Sequence, residues 1–102
     1  MKVGLFDLEM TNLHADFGFI LCGCVYDYGA EEMKTMSLDC FPYWKTNIWD
    51  DQKLACAIRN ELEKFDIIVG YNSANFDVTF LNTRLLYHRK PILSAGKHID
   101  MY

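Results

Sequence analysis

The stretch VGYNSANFDVTFLNTR, residues 69–84, decides the fold. It follows Ile67 and Ile68, and its start is typical of a short strand buried in a sheet. Asn72 and Asn75 then mark a polar turn, after which apolar residues recur at helical spacing. We therefore predict a strand, a turn and a helix. Asp77 falls in the first turn of that helix, where the helix dipole alone would favour an acid.

Further elements are predicted on both sides of this stretch. Three strands come first, and a short YGA link between the second and third indicates a hairpin. A helix with Asp50 or Asp51 as its N-cap follows them, and GKHIDMY at the end is typical of a last strand. The predicted strands before the quoted stretch are 2–9, 17–27 and 31–40. The order βββαβαβ predicts an α/β fold with a mixed sheet, in one domain spanning residues 1–102.

Composition limits the classes of function. The chain has 102 residues, of which 51% are hydrophobic, enough for a packed core and too many for a disordered segment. Its net charge of −4 provides no general basic surface, so a nucleic-acid partner would require a local basic patch or metal ions. The four cysteines form no CxxC pair, which favours reduced thiols. Without an apolar run of ~20 residues or a signal peptide, we expect a soluble, cytoplasmic protein that does not enter a membrane.

Two carboxylates interrupt the apolar run LFDLEM, residues 5–10. Side chains at positions i and i+2 of a strand point to the same face, so Asp7 and Glu9 should lie side by side. Burying both without compensation costs several kcal/mol or raises the pKa of one of them. Divalent cations remove that cost because they bind carboxylate oxygens. The alternative is a solvated face at the edge of the sheet.

The two motifs together resemble a known family. FDLEMTNL, residues 6–13, is similar to the first motif of the DEDD 3′–5′ exonucleases of the ribonuclease H-like fold, and GYNSANFDVTFLNTR, residues 70–84, to the second. The second motif is especially similar to the proofreading domains of family B DNA polymerases and to the predicted exonuclease domains related to them. The resemblance covers nearly the whole chain, including HIDMY, and it implies a ribonuclease H-like mixed sheet.

The resemblance implies a nuclease that uses two Mg²⁺ or Mn²⁺ ions. Asp7 would bridge both ions, Glu9 would help hold the ion that activates water, and Asp77 would hold the second ion. Two such ions, about 3.5–4 Å apart, stabilise the attacking and leaving oxygens at phosphorus. The implied substrates are single-stranded or frayed 3′ ends of DNA or RNA. The residues implied to contact the substrate are Met10, Leu13, Asn72 and Phe76. Relatives usually carry Thr at the position of Met10. For Leu13, packing in the core is an equal alternative.

Two further groups of residues allow either a binding or a structural role. The cations Arg84, Arg89, Lys90 and Lys97 could line the path of a phosphate backbone, or they could belong to a solvated helix end. The aromatic residues Tyr43, Trp44 and Trp49 could stack on bases, or they could pack in the loop or core.

The sequence departs from the family in its third motif. The family has a fourth carboxylate in a Y-x-x-x-D or H-x-x-x-x-D pattern on a later helix, and neither spacing occurs in this chain. We therefore expect a C-terminally truncated domain, with a missing segment or a second copy in a homodimer covering exposed sheet surface. Three hypotheses follow: a metal-dependent 3′–5′ exonuclease, possessing weak activity or none alone; an incomplete nucleic-acid-binding or oligomerisation module; and a structural α/β domain with solvent-facing carboxylates.

Overall fold

The structure is a computed structural model that describes residues 1–12, 18–41, 50–94 and 96–101. Five strands and two helices follow one another in the predicted order βββαβαβ. A single 3-10 turn, Leu38–Cys40, replaces the end of the predicted third strand. The strands are β1 (Val3–Met10), β2 (Ile20–Asp27), β3 (Glu32–Ser37), β4 (Ile67–Gly70) and β5 (Lys97–Asp100), and the helices are α1 (Gln52–Leu62) and α2 (Asp77–Tyr87).

The five strands form one mixed sheet, as predicted, and their order in it is β3-β2-β1-β4-β5. The first three strands make the antiparallel meander, whereas β4 pairs parallel with β1, and β5 pairs parallel with β4. Parallel strands end at the same edge of a sheet, so the ends of β1, β4 and β5 face the same side of the molecule. Pairing between β1 and β4 covers Val3–Leu5 only. The second half of β1 therefore extends beyond its β4 neighbour.

One face of the sheet forms the core with both helices. Along β1, Phe6 and Leu8 are buried in the hydrophobic cluster, while the residues between and after them are exposed. This alternation follows from the two-residue period of a strand. Apolar residues at helical spacing in and just after α1 are buried, namely Leu54, Ala55, Ile58, Leu62 and Phe65. From α2 the cluster receives Phe80, Leu81 and Leu85.

The other face of the sheet carries apolar side chains in solvent. Leu5, Met33 and Ile99 are exposed, and the strand register places them in one row across the sheet. The prediction that a missing segment or a second copy covers such a surface stays a prediction. In the part of the chain that the structure describes, no helix is long and apolar enough to span a membrane.

A buried ion pair ties the two helices to the sheet. Asp51 occupies the N-cap position of α1, but its side chain makes no cap hydrogen bond. Its carboxylate instead accepts a hydrogen bond from the Ile20 N–H at 2.9 Å and charge-assisted bonds from Arg84, at 2.8 Å from Nη2. His88 Nε2 lies 2.6 Å from Asp51 Oδ1. The fully buried carboxylate thus joins β2, α1 and the end of α2.

This ion pair corrects the prediction for Arg84. The side chain is buried against Asp51, so it belongs neither to a phosphate path nor to a solvated helix end. Helical spacing put Arg84 on the inward side of α2, and an arginine there must find an anionic partner. The sequence did not show that Asp51 was that partner. The predictions for Tyr43, Trp44 and Trp49 lie outside the described residues. The four cysteines are free thiols.

Candidate metal and nucleic-acid site

Asp7 and Glu9 stand on the exposed face of β1, as the strand period predicted. Their antiparallel neighbours on β2 are Cys24 and Cys22, which offer no positive charge to balance them. Both acids lie past Leu5, the last residue of β1 that pairs with β4. The two carboxylates are therefore next to the open space above the end of β4.

Asp77 reaches this space from the first turn of α2. It is only 6% exposed, and its Oδ2 accepts a hydrogen bond from the Leu8 N–H at 3.2 Å. Leu8 lies between Asp7 and Glu9 in β1, beyond the last residue of β1 that pairs with β4. The carboxylate of Asp77 thus binds a backbone N–H of β1 that β4 leaves unpaired, next to the two residues Asp7 and Glu9.

The pKa of Asp77 is raised from 3.8 to about 6. Burial is the largest cause, and the negative charges of Asp7 and Glu9 and a hydrogen bond with Asp7 contribute to the rise. The Leu8 N–H acts in the opposite direction because it stabilises the carboxylate. A carboxyl group that is repelled by two others near neutral pH indicates a site with unbalanced negative charge.

This arrangement fits a hard divalent cation in charge and in donor type. Mg²⁺ and Mn²⁺ prefer carboxylate oxygens, and a cation would balance the negative charges of Asp7, Glu9 and Asp77. The side chains are not already arranged around a single point, however. Within residues 1–12, 18–41, 50–94 and 96–101, no group of three His, Cys, Asp or Glu side chains is in position to hold a metal ion.

A cleft of about 390 Å³ opens beside the carboxylates. Glu9 and Asp77 line it on one side. Three of the four residues that the resemblance implied as substrate contacts also line it, namely Met10, Asn72 and Phe76. Leu13, the fourth, lies outside the described residues. The remaining lining residues are Leu8, Asn12 and Tyr71. The lining of the cleft therefore includes two carboxylates together with apolar side chains.

The turn between β4 and α2 places Asn72 at this cleft. Asn72 has a φ of 53°, a left-handed conformation that asparagine tolerates better than most residues. Its Oδ1 accepts a hydrogen bond from Asn75 Nδ2 at 3.1 Å, and its carbonyl oxygen accepts one from the Phe76 N–H at 3.2 Å. Asn72→Ala should therefore lower the free energy of unfolding by about 1 kcal/mol, measurable by urea titration.

Sequence reasoning missed three polar residues behind this turn. Ser73 is fully buried, and its Oγ lies 2.6 Å from His98 Nε2. Asp100 Oδ2 accepts a hydrogen bond from the Ala74 N–H at 3.0 Å. The signal available was the alternation of His98 and Asp100 in the last strand, because polar residues two apart face the same side.

The fold and the site define the class of this protein. It is an α/β protein with neighbouring carboxylates near the ends of the central parallel strands of its mixed sheet. Ligands usually bind at this place in such sheets. A family model of the RNase H superfamily matches residues 5–102 of the chain. The chain belongs to the RNase H superfamily.

Solved structures share this fold. A family B DNA polymerase from the hyperthermophilic archaeon Pyrobaculum calidifontis matches 88% of the chain with a TM-score of 0.70 at 21% identity. An exonuclease I structure matches 98% of it with a TM-score of 0.70 at 12% identity. The chain spans only 11% and 28% of those two proteins. At the level of fold, these structures agree with the resemblance to DEDD-type exonucleases. No curated protein matches the chain.

Proposed function

We propose that this chain is a metal-dependent 3′–5′ exonuclease domain that hydrolyses phosphodiester bonds at single-stranded or frayed ends of DNA or RNA. Membership in the RNase H superfamily supports a nuclease-type function. The observation that carries the proposal is the contact of Asp77 with β1 at Leu8, the residue between Asp7 and Glu9, because this contact brings the third carboxylate next to the other two. We propose residues 1–102 as one partial domain of this kind.

In this proposal the three carboxylates hold two Mg²⁺ or Mn²⁺ ions. Bound ions of this type lower the pKa of water and neutralise charge on phosphate oxygens. The chain itself would orient the substrate. The side chain of Asn72 would contact the backbone of the terminal nucleotide, while Met10 and Phe76 provide apolar surface for its base. Because the chain carries a net charge of −4, an anionic substrate would be held locally rather than attracted by the overall field.

The alternative is a catalytically incomplete module that binds nucleic acid. Two observations favour it. The sequence contains no third-motif carboxylate at either family spacing, and no three metal-ligating side chains are preassembled in the described part of the chain. Such a module would keep the cleft beside Asn72 and Phe76 but would hold ions too weakly for efficient hydrolysis.

Shortening of end-labelled oligonucleotides distinguishes these functions. With Mn²⁺, the wild-type chain should shorten a 5′-labelled single strand stepwise from its 3′ end, and Asp7→Asn should reduce the rate by at least about 100-fold. Glu32→Gln is the matched control, because it also removes one negative charge, from an exposed acid at the far side of the sheet. Equal shortening by wild type and Asp7→Asn would refute the exonuclease proposal.

Ion binding can be measured without any turnover. We expect saturating Mn²⁺ to raise the Tm of the wild-type chain by several degrees, since ligands that bind only the folded state stabilise it. Asp7→Asn should abolish the rise, and Glu32→Gln should retain it. Binding of a single strand with no shortening would support the incomplete module. If Mn²⁺ left the Tm of the wild type and of every variant unchanged, both metal-dependent proposals would be contradicted and a structural domain would be favoured.

A further inference from the structure

The turn that carries Asn72 is fixed to the sheet by side chains rather than by strand pairing. It spans residues 71–76, between the end of β4 and the start of α2. Two hydrogen bonds come from the start of α2: the Val78 N–H donates to the Ser73 carbonyl at 2.8 Å, and Thr79 Oγ1 donates to the Ala74 carbonyl at 2.6 Å. These bonds join the turn to α2, but they do not set its position relative to β1.

His98 provides one connection to the sheet. Its Nε2 lies 2.6 Å from the hydroxyl of the fully buried Ser73. The ring of His98 also packs against Phe6, with centroids 5.9 Å apart. Phe6 directly precedes Asp7 in β1. One side chain of β5 therefore contacts both the strand that carries two of the acids and the turn that leads to the third.

Asp100 provides a second connection. It lies two residues after His98, on the same face of β5, and its Oδ2 accepts the Ala74 N–H at 3.0 Å. The Met101 N–H donates to the Gly70 carbonyl at 2.8 Å, so β5 stays paired up to the start of the turn. Adjacent residues of the turn, Ser73 and Ala74, are thus held by alternate residues of one strand.

Close packing leaves the turn little room to adopt another position. A Cβ atom added to Gly70 would lie 2.6 Å from Ser73 Cβ and Oγ, and 3.1 Å from the ring of Phe6. Only a glycine at position 70 allows Ser73 to approach the sheet this closely. This packing holds Ser73 in a fixed position beside His98. A site whose carboxylates bind one ligand requires such fixed positions.

We infer that His98 and Asp100 are positioning residues that set the place of Asp77 beside Asp7 and Glu9, by holding the turn through Ser73 and Ala74. The expected effect on the strength of ion binding rests on the proposed function. The position of Asp77 relative to Asp7 and Glu9 does not depend on that function. Neither His98 nor Asp100 contacts the ions or the substrate in this scheme.

Amide hydrogen exchange, measured by NMR in EDTA, tests the geometric part without ions. The Leu8 amide donates to Asp77, and the Ala74 amide donates to Asp100. In His98→Ala and Asp100→Ala, both amides should lose at least about tenfold in protection, while amides in the middle of α1 change less. Unchanged protection of the Leu8 amide in both variants would overturn the inference.

A matched control removes a carboxylate of the same type elsewhere. Asp27 Oδ1 accepts hydrogen bonds from the Gly29 and Ala30 N–H groups, both at 3.1 Å, in the β2–β3 hairpin at the opposite edge of the sheet. Asp27→Ala should lower the Tm while it leaves the exchange of the Leu8 amide unchanged. If Asp27→Ala exposed that amide as strongly as Asp100→Ala does, the effect would be general loss of stability and the inference would fail.

Mn²⁺ titration then tests the consequence, with Tm as the readout. The Mn²⁺ concentration at half-maximal stabilisation should rise about fivefold to tenfold in His98→Ala and Asp100→Ala. His98→Gln and Asp100→Asn should restore it to within about twofold, because each keeps a group that can make the same hydrogen bond. A midpoint that stays at the wild-type value would overturn the inference. Altered exchange at Leu8 with no response to Mn²⁺ even in the wild type would retain the positioning and refute the metal-dependent function.

Discussion

Asp51→Ala should lower the free energy of unfolding by about 3–5 kcal/mol, the cost of leaving a buried charge without its partner. Asp51 is fully buried and Arg84 is 5% exposed, so water cannot replace the lost contact. Three donors would lose their acceptor together: the Ile20 N–H, the Arg84 guanidinium and the His88 ring. Small domains have only about 5–15 kcal/mol of stability in total. Urea denaturation followed by circular dichroism would measure this loss.

Two further variants show that charge, not volume, causes this effect. Asp51→Ala combined with Arg84→Met removes both charges, and it should be more stable than Asp51→Ala alone by at least about 1 kcal/mol. Asp50→Ala is the control. Asp50 Oδ1 accepts a hydrogen bond from the Gln52 N–H at 3.2 Å. The loss of this bond should cost about 1 kcal/mol. A loss below about 1 kcal/mol in Asp51→Ala would contradict the role of this ion pair.

Asp77→Asn should stabilise the metal-free chain at about pH 8 by on the order of 2 kcal/mol. The folded chain raises the pKa of Asp77 from 3.8 to about 6, so it favours the neutral carboxyl group. The contribution of Asp77 to stability is therefore greatest below pH 3.8 and is lost as the pH rises from 3.8 to about 6. Asparagine is neutral at every pH, and it keeps an oxygen that can accept the Leu8 N–H.

The same variant should show no gain at about pH 4, where aspartate is close to neutral in the folded chain and near its midpoint in the unfolded one. Urea titrations in EDTA at both pH values measure the difference. Glu32→Gln, which also removes one exposed negative charge, should change stability by less than about 0.5 kcal/mol at either pH. An Asp77→Asn variant that is less stable than wild type at pH 8 would contradict the electrostatic description of the site.

These two predictions differ in sign because the two buried carboxylates have different partners. The charge of Asp51 is balanced by Arg84, so removal of Asp51 destabilises the native state. Asp77 is buried without a cation and lies near the negative charges of Asp7 and Glu9, so the native state is stabilised when its carboxyl group is neutral. If the proposed function holds, Asp77→Asn would gain stability and lose activity together, a combination typical of residues kept for function rather than for folding.

Much of this could be predicted from the sequence by itself. The strand and helix periods determined the order βββαβαβ, the inward residues of α1 and the common face of Asp7 and Glu9. These follow from local geometry, because a two-residue or a 3.6-residue repeat decides which side chains face the core wherever the element lies. The motif around Asn72 and Asp77 likewise predicted the fold that the RNase H superfamily match shows.

Only the tertiary structure decided which distant polar groups meet. Nothing local shows that Arg84 pairs with Asp51, that Asp77 accepts the Leu8 N–H, or that His98 and Asp100 hold Ser73 and Ala74. The partners in these contacts are 25 to 69 residues apart in sequence. The choice among such partners depends on how strands and helices pack, since a buried polar group bonds with whichever complementary group the fold brings within reach.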